Sequence, residues 1–422
     1  MGDKMKERWK RVRLGEVAEI NKNSIDKNFP YTEIGYIDIS SVSTGMLLET
    51  KKFESQKAPG RAKRLVKDGD TILSTVRPNR RSFLYIKHPQ ENLVVSTGFA
   101  VLTPTKDLDN RFLYYVITDQ RFTDYLTNHA KGAAYPAVDT ETISNAELNI
   151  PPLTTQCKIA SILSAYDDLI ENNNRRIKIL EEMAQTIYKE WFINFRFPGH
   201  GKVKMVKSEL GMILEGWEVK RLGDVVEAQY GYTESASNEE IGPKFLRGTD
   251  INKNTYINWD DVPFCKISDT DFKKYKLKRG DIVIIRMADP GKVGIIEKDT
   301  DAVFASYLIR LKPISDKISP YYLFYFLLSE KYQTYITGAS TGTTRKSASA
   351  GVVTGIDFYI PSSYLLVEFE KQISLIREQL TLLLEKNTNL RRTRDLILPK
   401  LISREIDVEN LDIKIGYQGA NA

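Results

Sequence analysis

The sequence predicts an α+β protein: two similar mixed α/β domains, each followed by a long helix that pairs with the other as an antiparallel coiled coil. Three observations carry that expectation. The chain repeats itself at an interval of about 210 residues, each repeat carries strand and turn signals, and each is followed by a segment of about forty residues without internal glycine or proline. The implied division is a first globular domain at 1–150, a central helical spacer at 151–201, a second globular domain at 202–360, and a C-terminal helical spacer and tail at 361–422.

The repeat opens with WKRVRLGEVAEI from Trp9, which recurs as WEVKRLGDVVEA from Trp217, matching Leu14, Gly15 and Val17 with Leu222, Gly223 and Val225. KDGDTILST around Gly69 matches KRGDIVIIR around Gly280, and VVSTGFAVLTP, ending at Pro104, matches VFASYLIRLKP, ending at Pro313. RFLYYVITDQ then matches YYLFYFLLSE, and LNIPP matches FYIPS, pairing Pro151 with Pro361. Order and spacing are kept throughout, so a duplicated unit is the economical account. Gly-Asp followed by alternating Ile, Leu and Val reads as a turn feeding a strand, and 111–127 and 320–336 each read as a short amphipathic helix. The Trp that opens each repeat could stack on a base, but it adjoins the apolar Leu-Gly-x-Val turn and reads as core.

After Pro151 and Pro152 the pattern changes to a long helix, with Thr154 or Thr155 as cap and Phe197, Pro198, Gly199 and Gly201 as its end. Apolar positions step by three and four through Ile159, Ile162, Tyr166, Leu169, Asn173, Ile177, Leu180, Ala184, Ile187 and Trp191, a coiled-coil seam with one stutter near Asn173. The second helix, capped by Ser362 or Ser363, repeats the pattern through Phe369, Ile373, Ile376, Leu380, Leu383, Asn387, Leu390, Arg394, Ile397 and Leu401. Asn173 and Asn387 stand at apolar positions, where a polar group either fixes register or is a tolerated wet site. Pro399 is expected to break or kink the second helix at about Leu398. Helices of this length span roughly 50 Å, and packed antiparallel they would act as a spacer between domains related by a pseudo-twofold axis.

Composition narrows the function. The 422 residues, 41% of them hydrophobic, suffice for two cores. No apolar run is long enough for a membrane helix, and MGDKMKERWKRVRLGE has no apolar stretch of the secretory kind, so a cytoplasmic protein without membrane contact is expected. Cys157 and Cys265 are far apart and read as idle thiols; His88, His129 and His200 stand singly, so neither a metal site nor a nucleophile relay is expected. GxGxxG, GxxxxGK[ST] and NPPY or DPPY are absent, and NIPP at Asn149 is interrupted by Ile and followed by Leu. The net charge of +6 lies wholly in the globular domains: +4 over 1–150, 0 over 151–201, +2 over 202–360 and 0 over 361–422. That is either a phosphate-binding surface or scattered solvating charge.

Domain, helix, domain, helix, together with LGEVAEI and LGDVVEA, GAAYPAV from Gly132 to Val138, NIPPL and LILPKLISREI, resembles the specificity subunits of Type I restriction-modification systems over essentially the whole chain. The resemblance implies that each domain is a target recognition domain reading one part of a split double-stranded DNA site. The helices would then set the gap and dock two methyltransferase subunits, and a restriction and translocase subunit would join. S-adenosylmethionine, ATP and Mg²⁺ would belong to those partners, with no catalytic residue and no cofactor in this chain. IPSSYLLVEFEKQI and GASTGTTRKSASAG match the family pattern less well than their first-repeat counterparts, which bears on the second loop rather than the architecture.

On that reading two loops of the first domain would touch DNA. In TVRPNRRSF, Arg77, Asn79, Arg80 and Arg81 suit bases and phosphates, or form a solvated turn around Pro78. In HAKGAAYPAV, Lys131 and Tyr135 lie on a lean loop that lets backbone approach a phosphate, or is ordinary punctuation. In the second domain Thr343, Thr344, Arg345 and Lys346 form the matching loop or a linker, with Arg286 and Lys292 as second choices against a plain hairpin. Arg61, Lys63 and Arg64, and Lys273, Lys274, Lys276 and Lys278, read as solvated faces. A two-headed coiled-coil adaptor that never touches DNA would explain the repeat and the helices equally well.

Overall fold

Both repeats open on the same piece of backbone chemistry. In the computed structural model, which describes residues 9–252, 254–315, 318–342 and 346–415, Leu14 and Leu222 are fully buried, and their N–H groups donate to the carbonyls of Ala146 (2.8 Å) and Ile356 (2.9 Å). The next residue is a glycine on which a side chain would crowd the last turn of the repeat: a Cβ on Gly15 would lie 2.0 Å from Ser144 Oγ, and one on Gly223 3.2 Å from Thr354 Oγ1. The first strand of each repeat thereby pairs antiparallel with the last, Lys10–Arg13 with Glu147–Ile150 and Glu218–Arg221 with Asp357–Ile360.

The sheets repeat as well. In the first domain Ala18–Ile20, Phe99–Pro104, Thr71–Ser74 and Phe83–Tyr85 form one sheet in that order; in the second, Val226–Tyr230, Leu308–Pro313, Ile282–Ile285 and Val293–Ile295 do the same. Each domain also pairs two strands in parallel, Glu33–Ile37 with Leu93–Ser96 and Lys244–Leu246 with Ala302–Phe304. The Gly-Asp pairs are the turns into the central strands. Gly69 and Gly280 take positive φ (84° and 89°), while Asp70 and Asp281 each close the turn by accepting an N–H, from Lys67 at 2.8 Å and Lys278 at 2.9 Å. Both aspartates are buried, which raises their carboxyls above the ordinary value.

The segments expected to hold one helix each hold two: Asn110–Thr118 and Gln120–His129, then Pro320–Leu328 and Glu330–Ala339. Asp119 and Ser329 take extended backbone and cap the next helix, breaking the run. Trp217 is buried in the second core and Trp9 half-buried at the edge of the first. Burial pushes the free thiols of Cys157 and Cys265 up to about 11.

The first long helix runs Leu153–Tyr188 and continues as a wider turn over Lys189–Ile193. It ends short of Phe197 because Phe195, at φ 56°, turns the chain back so that Phe192 and Phe195 pack on Trp217. Thr154 and Thr155 lie within its first turn instead of capping it, and Thr155 N donates to the Pro152 carbonyl (2.9 Å). The second runs Ser363–Ile402 and continues past Pro399, so the proline does not break it at Leu398. Pro399 is exposed in the last turn, and Leu398 and Leu401 beside it are buried in the first core, which holds the helix end despite the bond the proline cannot make.

Contacts divide the chain into two units, Met1–Asn172 with Asn387–Ala422 and Asn173–Lys386, so each unit holds one domain and part of both helices. Inside each unit the helices are antiparallel. In the first, Lys158 Nζ donates to the Glu409 (2.9 Å) and Leu411 (2.8 Å) carbonyls while Asp167 pairs with Arg394. In the second, Ile177 packs with Leu380 and Leu383, and Phe192 meets Phe369 at 4.9 Å.

Ile177, Ile373, Leu380, Leu383, Asn173 and Asn387 are buried, and Leu180, Ile187, Ile376, Leu390 and Ile397 are half-buried. Early in the first helix the seam lies one residue later than the spacing suggested. Leu169 is exposed, Ile162 and Tyr166 are half-buried, and Leu163 and Ile170 are buried instead. The cause is that the helix packs against its domain as well as against its partner helix, which widens and rotates the buried stripe.

Candidate nucleic-acid interface

In the first domain, strand-like pairing joins two loops that lie about sixty residues apart in sequence. Lys131 and Ala137 exchange two backbone hydrogen bonds of 2.9 Å, closing a small loop whose Gly132 sits at φ 101° with the Tyr135 carbonyl 3.1 Å from where a Cβ would be. Val138 N then donates to the Thr75 carbonyl (2.9 Å) and Arg77 N to the Pro136 carbonyl (2.7 Å). Arg77 takes the left-handed conformation, φ 49°, and its guanidinium stacks 4.7 Å from the centre of the Tyr135 ring, which is 55% exposed. Two separate candidates thus become one surface.

The other first-domain candidates divide. Asn79 and Arg80 are exposed on the turn Pro78–Arg80. Lys131 is exposed too, 3.4 Å from Asp139, whose carboxyl is held at about 2 mainly by the Thr142 hydroxyl and N–H, with help from Lys131. Arg81 is half-buried: it donates to the Thr118 carbonyl (2.7 Å) and to Gln120, and covers Phe83, so its guanidinium is engaged in bracing the turn.

The second domain repeats the clamp. Thr341 and Ser347 exchange backbone hydrogen bonds of 3.0 and 2.8 Å, Gly342 sits at φ 103°, and Ala348 N donates to the Arg286 carbonyl (2.8 Å). Met287–Ala288 pairs antiparallel with Lys346–Ser347, and Ala288 takes positive φ (72°), as Arg77 does in the first clamp. Thr343, Thr344 and Arg345 lie outside the described residues. Lys346 is exposed beside them, and Lys292 is exposed just past the turn at Pro290 and Gly291.

Arg286 lies 4.9 Å above the Tyr230 ring, donates to the Ser306 carbonyl (3.3 Å), and has a buried Nε without a partner. Tyr230, 43% exposed, receives the Ala350 N–H on its hydroxyl (2.9 Å). Sequence reasoning missed it, because a tyrosine ending a strand carries no signal until the Arg286 strand is laid against it. Each loop pairing therefore has an arginine over a tyrosine ring beside it, a chemistry suited to base faces, base edges and phosphates. Among the described residues no group of three or more His, Cys, Asp or Glu could hold a metal, and no helix is long and apolar enough to cross a membrane.

The profile of the family described as "Type I restriction modification DNA specificity domain" matches residues 6–182 and again 214–390, one copy per repeat. The chain belongs to this family. Its two domains are DNA-specificity domains, and it is a recognition subunit of the restriction-modification enzyme rather than its catalyst. It is similar to the specificity subunit of the Type I restriction enzyme HindI from Haemophilus influenzae, at 24% identity covering 94% of this chain and 99% of that one. It is also similar to the MjaIX specificity subunit from Methanocaldococcus jannaschii, at 28% identity covering 81% and 78%. In fold it resembles the crystal structure of a Type I restriction-modification S subunit from M. genitalium, with a TM-score of 0.53 at 15% identity over 95% of this chain and 98% of that one.

Proposed function

We propose that this specificity subunit reads a bipartite double-stranded DNA site, each domain contacting one half through its paired-loop clamp, with the helices setting the gap between halves. The observation that carries the reading is the duplicated loop pairing: two sequence-distant loops are joined by equivalent backbone hydrogen bonds in both domains, with an arginine over an exposed tyrosine beside each, Tyr135 on the loop itself and Tyr230 at the end of a neighbouring strand. Arg77, Asn79, Arg80, Lys131 and Tyr135 would contact the first half, and Arg286, Tyr230, Lys292 and Lys346 the second. Thr343, Thr344 and Arg345 join them on sequence position alone.

The same reading gives the helices a second task. Tyr364, Val367, Leu375 and Leu382 are exposed on the second helix and Ile179 and Met183 on the first, apolar positions suited to docking methyltransferase subunits, two in all. A restriction and translocase subunit completes the assembly. S-adenosylmethionine, ATP and Mg²⁺ serve those partners, and the complex works in the cytoplasm.

The test is duplex binding by the complex with its methyltransferase partner across a salt series. Five basic residues on the clamps, Arg80, Lys131, Arg286, Lys292 and Lys346, each meeting one phosphate, would make log affinity fall with log salt at a slope of roughly −4.5. Sequencing of methylated bases in cells carrying the subunits would name the site. Salt-insensitive or absent binding would favour the adaptor that joins only proteins.

A further inference from the structure

Among the described residues the largest fully buried side chain is a charged one, Arg377, in the middle of the second long helix and 1% exposed. Its guanidinium grips the second domain. Nε and Nη2 donate to the two oxygens of Glu297 at 2.7 and 2.9 Å, Nη2 also donates to the Thr255 carbonyl (3.1 Å), and the group lies 5.5 Å from the Phe324 ring. The Thr255 hydroxyl in turn donates to Glu181 on the first long helix, so one short segment of the domain is tied to both helices.

The first repeat anchors itself at the corresponding place with opposite polarity. The residue 210 positions earlier is Asp167, which accepts the Tyr115 hydroxyl (2.6 Å) and pairs with Arg394, while its neighbour Asp168 is held by Lys87 (3.2 Å) and Arg111 (3.3 Å) of the first domain. There the helix supplies the carboxylates, with the domain's Lys87 and Arg111 on Asp168 and the second helix's Arg394 on Asp167. In the second unit the domain supplies the carboxylate and the helix the cation.

We infer that the Arg377–Glu297–Thr255 clasp is a specificity-determining anchor: it fixes the register of the second recognition domain on the helix pair, and so decides how sharply the subunit discriminates between gaps in its DNA site. Adjacent base pairs differ by only about 3.4 Å along the duplex, so gap discrimination requires a domain held to better than that. Apolar packing is weakly directional, whereas a planar two-pronged guanidinium–carboxylate pair is strongly so. Because it is buried, any slip strands two charges out of water. Arg377 touches no DNA in this account; it acts through the placement of the domain.

The inference rests on the proposed DNA-reading function, and its test separates the two. Duplexes carrying both half-sites of the wild-type motif, with the gap varied by one base pair in each direction, are titrated with the complex containing the methyltransferase partner. A duplex with only the second half-site is titrated in parallel. Wild type is expected to prefer its gap by tenfold or more. Arg377→Met should reduce that preference at least fivefold, with half-site binding changed by less than threefold. Glu297→Gln keeps the shape and part of the hydrogen bonding, so it should move the preference the same way by less, and it serves if the Arg377 variant does not assemble. A gap preference as sharp as wild type in whichever variant assembles overturns the inference. So does a loss of half-site binding that matches the loss of gap preference, since that is a merely structural effect. A wild-type complex with no sequence preference at all overturns the DNA-reading function instead.

Discussion

Arg77 joins two constraints that seldom coincide on a surface arginine, a left-handed backbone and a guanidinium laid on an aromatic ring. A side chain held that way loses less freedom on meeting a base edge than a free one, so it is suited to reading sequence, whereas the extended, exposed Lys131 is suited to a phosphate. Arg77→Ala is expected to cost about 1–3 kcal/mol of binding and to relax preference at one position of the first half-site, measured on single-base variants of the motif. Lys131→Ala should weaken all sequences alike and flatten the salt slope by about one. The reverse pattern would exchange the two roles. Asp38 offers a check on the first domain's own stability. Burial opposes its charge, but hydrogen bonds from Lys51, Ser40 and Ser41 outweigh that and hold its carboxyl at about 2, below the ordinary 3.8. Such a group stabilises the fold above its unfolded value and loses the contribution as pH falls through the folded one. Asp38→Asn should therefore lower Tm at neutral pH, by an amount that narrows as pH is taken from about 5 towards 2. A difference independent of pH would mean that the carboxylate's charge contributes nothing.

At the scale of elements, the misplaced stretch of seam gives a paired test. Leu380 is fully buried in the contact between the helices, and truncation to Ala should cost about 2–5 kcal/mol and lower Tm clearly. Leu169, placed in the seam by spacing alone, is 52% exposed, and Leu169→Ala should change stability by no more than about 0.5 kcal/mol. Equal losses would restore the seam that the spacing suggested. The contrast marks what was legible in the sequence. Leu14, Gly15, Gly69 and Asp70 could be read, with their second-repeat partners, because local backbone chemistry demands those residue types wherever the turn occurs. The clamps could be read only in halves: Arg77 and Tyr135 were each visible, but their meeting depends on pairing between Val76 and Ala137 that no local pattern encodes. Arg377 was hidden altogether, since a charge beside Ile376 reads as the helix's wet face until Glu297, 80 residues away, is brought against it. Pro399 misled for a different reason. Pro399 still gives up its bond to the Asp395 carbonyl, but the helix runs only as far as Ile402 beyond it, and burial of Leu398 and Leu401 in the first core holds that short end in place.

For the whole molecule the question is what fixes the gap, and length and anchoring make different predictions. Inserting four residues, about one turn, after Asn172 and after Lys386, where the packing passes from one unit to the other, lengthens each helix by roughly 6 Å. At about 3.4 Å per base pair, the preferred gap should grow by about two base pairs, read from the methylated motif in cells carrying the altered subunit and its partners. The anchors at Asp167 and Arg377 lie outside the insertion and move with their helical segments, so discrimination at the new gap should stay as sharp as before. Arg377→Met should do the opposite, broadening the preference around the original gap without moving it. A gap unchanged by the insertion would count against the helices as a ruler. A gap that lengthens and also blurs would mean that sharpness comes from the continuity of the helical seam, and the clasp would then be a consequence of that seam, not a second determinant beside it.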